Sequence, residues 1–285
     1  MKIGAITNIP GNLDDCDHLF DRLSSFGLHT CQVVNWNTAL YEGAWKDRAI
    51  AIREQMQEKA VVPSAFWAGY SGKVFWNFTE GPISMGLVPP AYRAQRISDL
   101  CHGADFAREL GLKAIITHCG FLPENMTDFE FLPTALAIAE VARYCKSIGL
   151  QFWFETGQET PTTLLRTIQR LEEWGLDNLG INLDPANLLL YGKGNPIDAL
   201  SVFGKYVRNI HVKDGCVPTD GKRLGAEKQV GQGMVNYPAF VKKLQEIGFD
   251  GEYIIEREIP AGDEQTRDIQ ETILNLQKWA GELAE

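Results

Sequence analysis

A closed (β/α)₈ barrel is the fold class that this sequence predicts, on three observations. Eight short apolar runs alternate with longer helix-patterned segments along the chain. Five of those segments stop at a glycine just before the next run, at Gly27, Gly111, Gly149, Gly175 and Gly248. The turn after the first run reads TNIPGNLDD and lacks the GxGxxG phosphate turn expected of an open doubly wound sheet. Alternating strands and helices imply a parallel sheet, and eight such units close into a barrel of typically ~250 residues.

The runs, in order, are Ile3 to Thr7, Leu28 to Asn35, Val61 to Ala68, Ala114 to Cys119, Gln151 to Thr156, Leu179 to Leu183, Val207 to Lys213 and Glu252 to Glu256. Each is short and rich in β-branched or aromatic residues, as buried strands are. Between them, Ile138, Val141, Ala142, Cys145 and Ile148 share one helical face, and Phe240, Leu244 and Ile247 share another. The glycines mark helix ends, where a left-handed residue stops the turn. Two irregular stretches, Gly69 to Pro90 and Gly215 to Val235, are long enough to be functional loops. They are expected to overhang the mouth of the barrel. Length by itself favours two domains, but no linker or composition break divides the chain, so residues 1–285 read as one barrel domain.

Composition narrows the function. Apolar residues make up 45% of the chain and charged residues 22%, ordinary globular values that exclude disordered, collagenous and coiled-coil readings. The net charge of −10 argues against nucleic acid as a partner, because phosphate-backbone binding needs excess positive charge. No run approaches the ~20 apolar residues of a membrane span, and MKIGAIT lacks the features of a signal peptide. The six cysteines are scattered without a CxxC pair, so they read as reduced thiols. The expected location is the cytoplasm.

In a parallel barrel, chemistry sits at the C-terminal ends of the strands. The first run ends at Thr7-Asn8, the third near Trp67 and the fourth at His118. The last four end at Glu155, Asp184, His211 and Glu256. These four are spaced 29, 27 and 45 residues apart, and one βα unit averages about 31 residues. The last gap is one unit plus the 215–235 stretch. Four such side chains on adjacent strands converge above the barrel. Three carboxylates together raise one another's pKa, and a divalent cation at their centre removes that penalty. A mixed oxygen and nitrogen donor set suits Mn²⁺ first, with Co²⁺, Zn²⁺ or Mg²⁺ as alternatives. Four unrelated strand-end residues are the competing reading, and the matched spacing argues against it.

The stretches FETG (154–157), NLDPAN (182–187) and NIHVKD (209–214), with the run from Gly231 to Glu258 (GQGMVNYPAFVKKLQEIGFDGEYIIERE), resemble the xylose-isomerase-like sugar isomerase/epimerase superfamily. The resemblance is loose over the whole chain and close from Glu155 to Glu258. It implies that Glu155, Asp184, His211 and Glu256 bind one divalent metal ion. It also implies that Glu155 and Glu256 double as a proton-transfer pair, with a sugar or sugar phosphate as the small-molecule partner. The chemistry agrees: epimerising or isomerising a ketose removes a proton beside a carbonyl, a Lewis acid stabilises the enediolate, and two carboxylates act as base and acid. Relatives form homodimers or homotetramers, and nothing in this sequence marks an interface. The chain departs from the family pattern at Gln232, at Asn236-Tyr237 and at Asn187, where many relatives carry a substrate-holding histidine.

Further candidates for substrate contact are His118, Lys213, Trp67 and Asn187. Lys213 faces the mouth with His211 by strand alternation, and Trp67 or Phe66 can wall a sugar face. His18, His29 and His102 read as structural, and Cys119 as a buried thiol turned from the mouth. Lys222, Arg223 and Lys228 make the long loop basic, as a phosphate clamp or as solvated surface. The leading reading is a metal-dependent isomerase or epimerase. A keto-inositol or keto-sugar dehydratase or lyase on the same metal site is the nearest rival, and a non-catalytic carbohydrate-binding subunit the third. The superfamily's apurinic-site endonuclease branch resembles a histidine-rich three-zinc site, which five histidines do not match.

Overall fold

The computed structural model describes residues 1–282, with the side chains of residues 13–15 and 282 left aside. Eight parallel strands form a closed barrel: β1 (Lys2–Asn8), β2 (Cys31–Asn35), β3 (Phe66–Ala68), β4 (Ala114–Thr117), β5 (Gln151–Glu155), β6 (Leu179–Leu183), β7 (Val207–Val212) and β8 (Glu252–Ile255). Each strand pairs with the next in sequence, and β8 closes on β1 with Glu252 opposite Lys2. Between them lie α1 (Asp21–Ser25), α2 (Trp45–Glu58), α3 (Pro90–Glu109), α4 (Phe131–Ser147), α5 (Pro161–Glu173), α6 (Pro185–Leu190), α7 (Pro196–Phe203) and α8 (Tyr237–Glu246). Helix α9 (Asp263–Glu282) follows β8. No helix among the described residues is long and apolar enough to cross a membrane.

All eight expected runs become strands, but two start late. Runs 28–35 and 61–68 enter the barrel only at Cys31 and Phe66. Pro63, inside the second of these runs, has no N–H to donate to a ladder, and the segments join through single bonds such as Val62 N to His29 O (2.9 Å) and Ser64 N to Cys31 O (2.7 Å). The five helix-stop glycines all have positive φ, between 68° and 82°. The buried face expected of α4 is present, with Ile138, Val141, Ala142 and Cys145 inside. In α8, Phe240 and Leu244 are buried, but Ile247 stands just past the last turn and is 37% exposed. The chain has already turned away from the core there, toward Gly248.

The core has two layers. Apolar side chains between strands and helices form the larger one. Inside the barrel a small cluster of Val34, Ala65, Trp67, Ala114, Ile116 and Trp153, with Ile6 against it, fills one level. A buried polar group of Gln32, Asn182, Asn209 and His211 fills another. That polar level carries the site.

One close approach positions the exit of β4. Gly86 has φ +69°, and a Cβ on it would lie 2.0 Å from the Cys119 carbonyl carbon. Leu87 N donates to Cys119 O at 3.0 Å, fixing loop 69–90 beside His118. Gly86→Ala is expected to lower stability by about 2–5 kcal/mol, from left-handed strain plus overpacking. The check is a urea titration: the midpoint should drop at constant m-value. An unmoved midpoint would show that this contact does not constrain the loop.

Candidate metal centre and substrate cavity

Glu155 is the last residue of β5, Asp184 follows β6, His211 is the penultimate residue of β7 and Glu256 follows β8. One ligand atom from each lies within 4.8 Å of the others. His211 Nδ1 is the shared neighbour, at 2.9 Å from Glu256 Oε2, 3.1 Å from Glu155 Oε1 and 3.7 Å from Asp184 Oδ2.

Local structure aims these groups. Asp184 caps α6: its Oδ1 accepts from Asn187 N at 2.8 Å, as capping carboxylates do, which turns Oδ2 toward the cluster. On the far side of the imidazole, His211 Nε2 lies 2.8 Å from Gln32 Oε1 and 3.0 Å from Asn182 Nδ2. Such outer partners fix ring orientation in metal-binding histidines. Trp67 Nε1 donates to Glu155 Oε2, and His118 Nε2 lies 3.5 Å from Glu155 Oε1.

The donor set fits a divalent cation. His211 Nδ1 and Asp184 Oδ2 are buried among charged neighbours yet form no hydrogen bond of ordinary geometry, although buried polar atoms nearly always do. Both point into the common centre, three carboxylates and one imidazole surround it, and no thiol is among them. Proton and metal compete there. Burial works against a charged His211, but Glu256, Glu155 and Asp184 outweigh it and hold its pKa well above the usual histidine value. Burial raises the Asp184 carboxyl, against the pull of Lys213.

Lys213 completes the charge balance. Its ammonium is buried, 2.5 Å from Glu258, 3.4 Å from Glu256, 3.6 Å from Asp184 and 3.5 Å from Asn187 Oδ1. Burial opposes its charge, but Glu256, Glu258 and Asp184 keep it protonated.

A cavity of about 350 Å³ opens above this cluster. His118, Lys213, Trp67 and Asn187 all line it, with Asn8 from the end of β1. Phe66 does not: it is fully buried in the outer layer against Phe106 and Tyr41, because alternation sends it opposite to Trp67. Cys119 is buried in the outer core as expected. Lys222, Arg223 and Lys228 do not line the cavity; Arg223 pairs with Asp220 at 2.8 Å on the surface. Of the long loops, Trp76 and Leu224 reach the cavity.

Several lining or supporting residues carry no motif. Trp36 follows β2 directly and was legible as a strand-end residue by the same rule that marks His118. Gln32 is an amide in the interior of the second run, and alternation turns it inward. Trp76, Tyr191 and Glu258 have no local signal. Asp214 lies outside the ligand set but builds the loop beside it, accepting from Gly231 N, Gly233 N and Val235 N at 2.9–3.1 Å. It thus organises the GQG stretch.

Glu159, near the end of the FETGQET stretch, is buried and its Oε1 has no partner. Burial pushes its carboxyl up to about 8. The native state therefore holds this proton where the unfolded chain, near 4.5, has lost it. The contribution to stability is full below the unfolded value and lost as pH rises through about 8. Glu159→Gln is expected to flatten the pH dependence of stability between those limits, a difference of at most about 5 kcal/mol. Denaturant midpoints at pH 5 and pH 9 measure it; parallel wild-type and variant curves would contradict it.

A parallel (β/α)₈ barrel with a buried Glu-Asp-His-Glu cluster at its C-terminal mouth defines the class: barrel proteins with a candidate metal centre under a small-molecule cavity. The family model described as xylose isomerase-like TIM barrel matches residues 20–279, and the chain belongs to that family. It is similar to a xylose isomerase domain protein from Planctomyces limnophilus, with 31% identity and a TM-score of 0.89 over 99% of this chain and 98% of that one. A D-tagatose 3-epimerase-like protein superposes with a TM-score of 0.72 at 19% identity, over 99% and 97% of the two chains. A probable 3-DHS dehydratase from Bacillus anthracis superposes at 0.65 and 15%, over 96% and 98%. At those identities the last two show the fold alone. An uncharacterized protein of Methanocaldococcus jannaschii is 26% identical over 61% of this chain, and the match spans 60% of that protein's length.

Proposed function

We propose that this protein is a divalent-metal-dependent sugar isomerase or epimerase in which Glu155 and Glu256 form the acid/base pair. The observation that carries the reading is the convergence of Glu155, Asp184, His211 and Glu256, one ligand atom from each within 4.8 Å of the others, with His211 Nδ1 and Asp184 Oδ2 forming no hydrogen bond there. Those four residues would hold the cation, and Mn²⁺ is the first to test, since it takes mixed oxygen and nitrogen donors. A cation bound there supplies Lewis acidity to a carbonyl and its neighbouring hydroxyl.

The chain's own residues do the rest. Glu155 and Glu256 come from β5 and the end of β8, so they approach the substrate from different directions. One takes the proton beside the carbonyl, and the other returns a proton to the resulting enediolate. Trp67 and His118 hold Glu155 in place, and Lys213 holds Glu256. Asn187 and Lys213 present polar atoms to substrate hydroxyls at the cavity wall.

Metal analysis after Mn²⁺ loading should find close to one ion per chain, with binding that weakens as the pH falls because protons compete for His211. Ketoses incubated with the loaded protein in D₂O should take up deuterium at the carbon beside the carbonyl. Absence of metal after loading sinks the site. Metal without exchange on a broad ketose panel favours the carbohydrate-binding reading or dehydration. Dehydration has one observation on its side: the Lys213 ammonium stands 3.4 Å from Glu256, where a departing hydroxyl can take its proton.

A further inference from the structure

We infer that the cavity selects a neutral keto-glycoside, which carries on its ring the ketone that the proton transfer needs and whose apolar ring face or aglycone stacks on Trp36 and Trp76, over sugar phosphates and free monosaccharides. The inference names the substrate class for the proposed isomerase/epimerase site and rests on that reading. Two observations carry it.

The first is aromatic. Trp36, from the end of β2, and Trp76, from loop 69–90, line the same cavity. Their rings meet edge to face at 5.9 Å. Trp36 continues inward to Trp67 at 4.1 Å, and Trp76 to His118 at 5.3 Å. Trp67 and His118 both contact Glu155. The aromatic wall thus runs from the proton-transfer carboxylate to the rim. The inner ring is spent on packing: Trp67 is 3% exposed. The outer two are not, with Trp36 52% and Trp76 43% exposed. Large exposed indoles lining a cavity are unusual without an occupant, and they suit a flat apolar partner. The C–H face of a pyranose, or an aglycone beyond it, is such a partner for a sugar whose reacting carbons sit at the ligand cluster.

The second is charge. A phosphate needs cations with free donors, as a bidentate Arg or a Lys provides. Among the described residues, the lysine and arginines that line the cavity are Lys213, Arg257 and Arg22. Lys213 is shared by Glu256, Glu258 and Asp184. Arg257 is held by Glu227 at 2.7 Å and Asp268 at 2.8 Å. Arg22 is exposed on α1, over the Phe26 ring. The buried Lys213 and the partly buried Arg257 are thus already matched by carboxylates, and Arg22, the third, is exposed to solvent. A dianion there would face Glu256 and Glu258 as much as Lys213.

The test is calorimetric titration of the Mn²⁺-loaded protein with phenyl β-D-glucopyranoside, D-glucose and D-glucose 6-phosphate. The glucoside should bind at least tenfold tighter than either of the others. Trp36→Ala and Trp76→Ala should each reduce that ratio to threefold or less, while Trp36→Phe, which keeps an aromatic face, should retain most of it. Circular dichroism confirms folding, and Trp76→Ala in a surface loop covers the case in which Trp36→Ala fails to fold. Equal binding of the three sugars, tighter binding of the phosphate, no binding of any, or a ratio unmoved in both Ala variants overturns the inference. Metal content is measured on the same samples. Loss of metal would sink the proposed function itself, whereas bound metal with a flat ratio sinks only the glycoside preference.

Discussion

Glu256→Gln and Glu155→Gln are each expected to cut deuterium incorporation from D₂O by about 10²- to 10⁴-fold, the range that general acid–base groups contribute. Glutamine keeps the shape of glutamate and one carbonyl oxygen for a cation, but it cannot take or return a proton. Burial works to raise the Glu256 carboxyl, yet Lys213 and His211 outweigh it and hold its pKa far below the usual value. Burial also opposes charge on Glu155, and His118 with His211 outweighs it there. Both side chains are therefore carboxylates at neutral pH. Because these pKa values are lowered, both glutamates keep their charge below the ordinary carboxylate range, so the acid limb of wild-type exchange should follow the loss of metal to protons on His211 and not protonation of either glutamate. The readout is NMR of the substrate carbon, with metal stoichiometry and circular dichroism measured on the same samples. Exchange that survives in either variant, with metal bound, removes that glutamate from the proton-transfer role. Exchange lost together with metal points to a ligand role alone.

Lys213→Met carries the largest expected effect on stability. The ammonium is buried among Asp184, Glu256 and Glu258, and methionine keeps its length without its charge. Removing one partner from a buried ionic group leaves its carboxylates uncompensated, which costs about 3–5 kcal/mol. For a chain of this size that is a melting-temperature loss on the order of 10 °C in metal-free protein. Excess Mn²⁺ should recover part of the loss, because a cation at the neighbouring cluster restores positive charge. A melting temperature equal to wild type without metal would show that Lys213 adds no net stability, and that its place beside Glu256 serves the reaction alone.

Much of the site is legible in the sequence, for a particular reason. In a parallel barrel every strand delivers its last residue to one mouth. Glu155, Asp184, His211 and Glu256 could be placed together from their positions after apolar runs and their spacing of about one βα unit. Lys213 followed from alternation with His211. Asn187 followed from its place in NLDPAN, and the structure adds what that position does locally: its backbone N–H fixes the Asp184 carboxylate. The same alternation rule, applied to Phe66 and Trp67, separates them, since only one neighbour on a strand can face the barrel. The late start of β2 and β3 was less legible, because Pro63 interrupts a run that is otherwise apolar.

The remainder depended on pairs of residues far apart in the chain. Gln32 meets His211 across 179 residues, and Trp67 meets Glu155 across 88. No local period encodes such pairs. Trp36 and Trp76 come together because loop 69–90 folds back against the exit of β4 through Gly86. The sequence by itself determined the barrel, the order of its strands and the four residues at its mouth, since repeating αβ units and strand-end positions are local properties. The tertiary structure alone decided what surrounds those four: which carboxylates share Lys213, which indoles stay open to the cavity and which cations are already neutralised. Those depend on where closure of the barrel and the return of the loops bring distant side chains to rest.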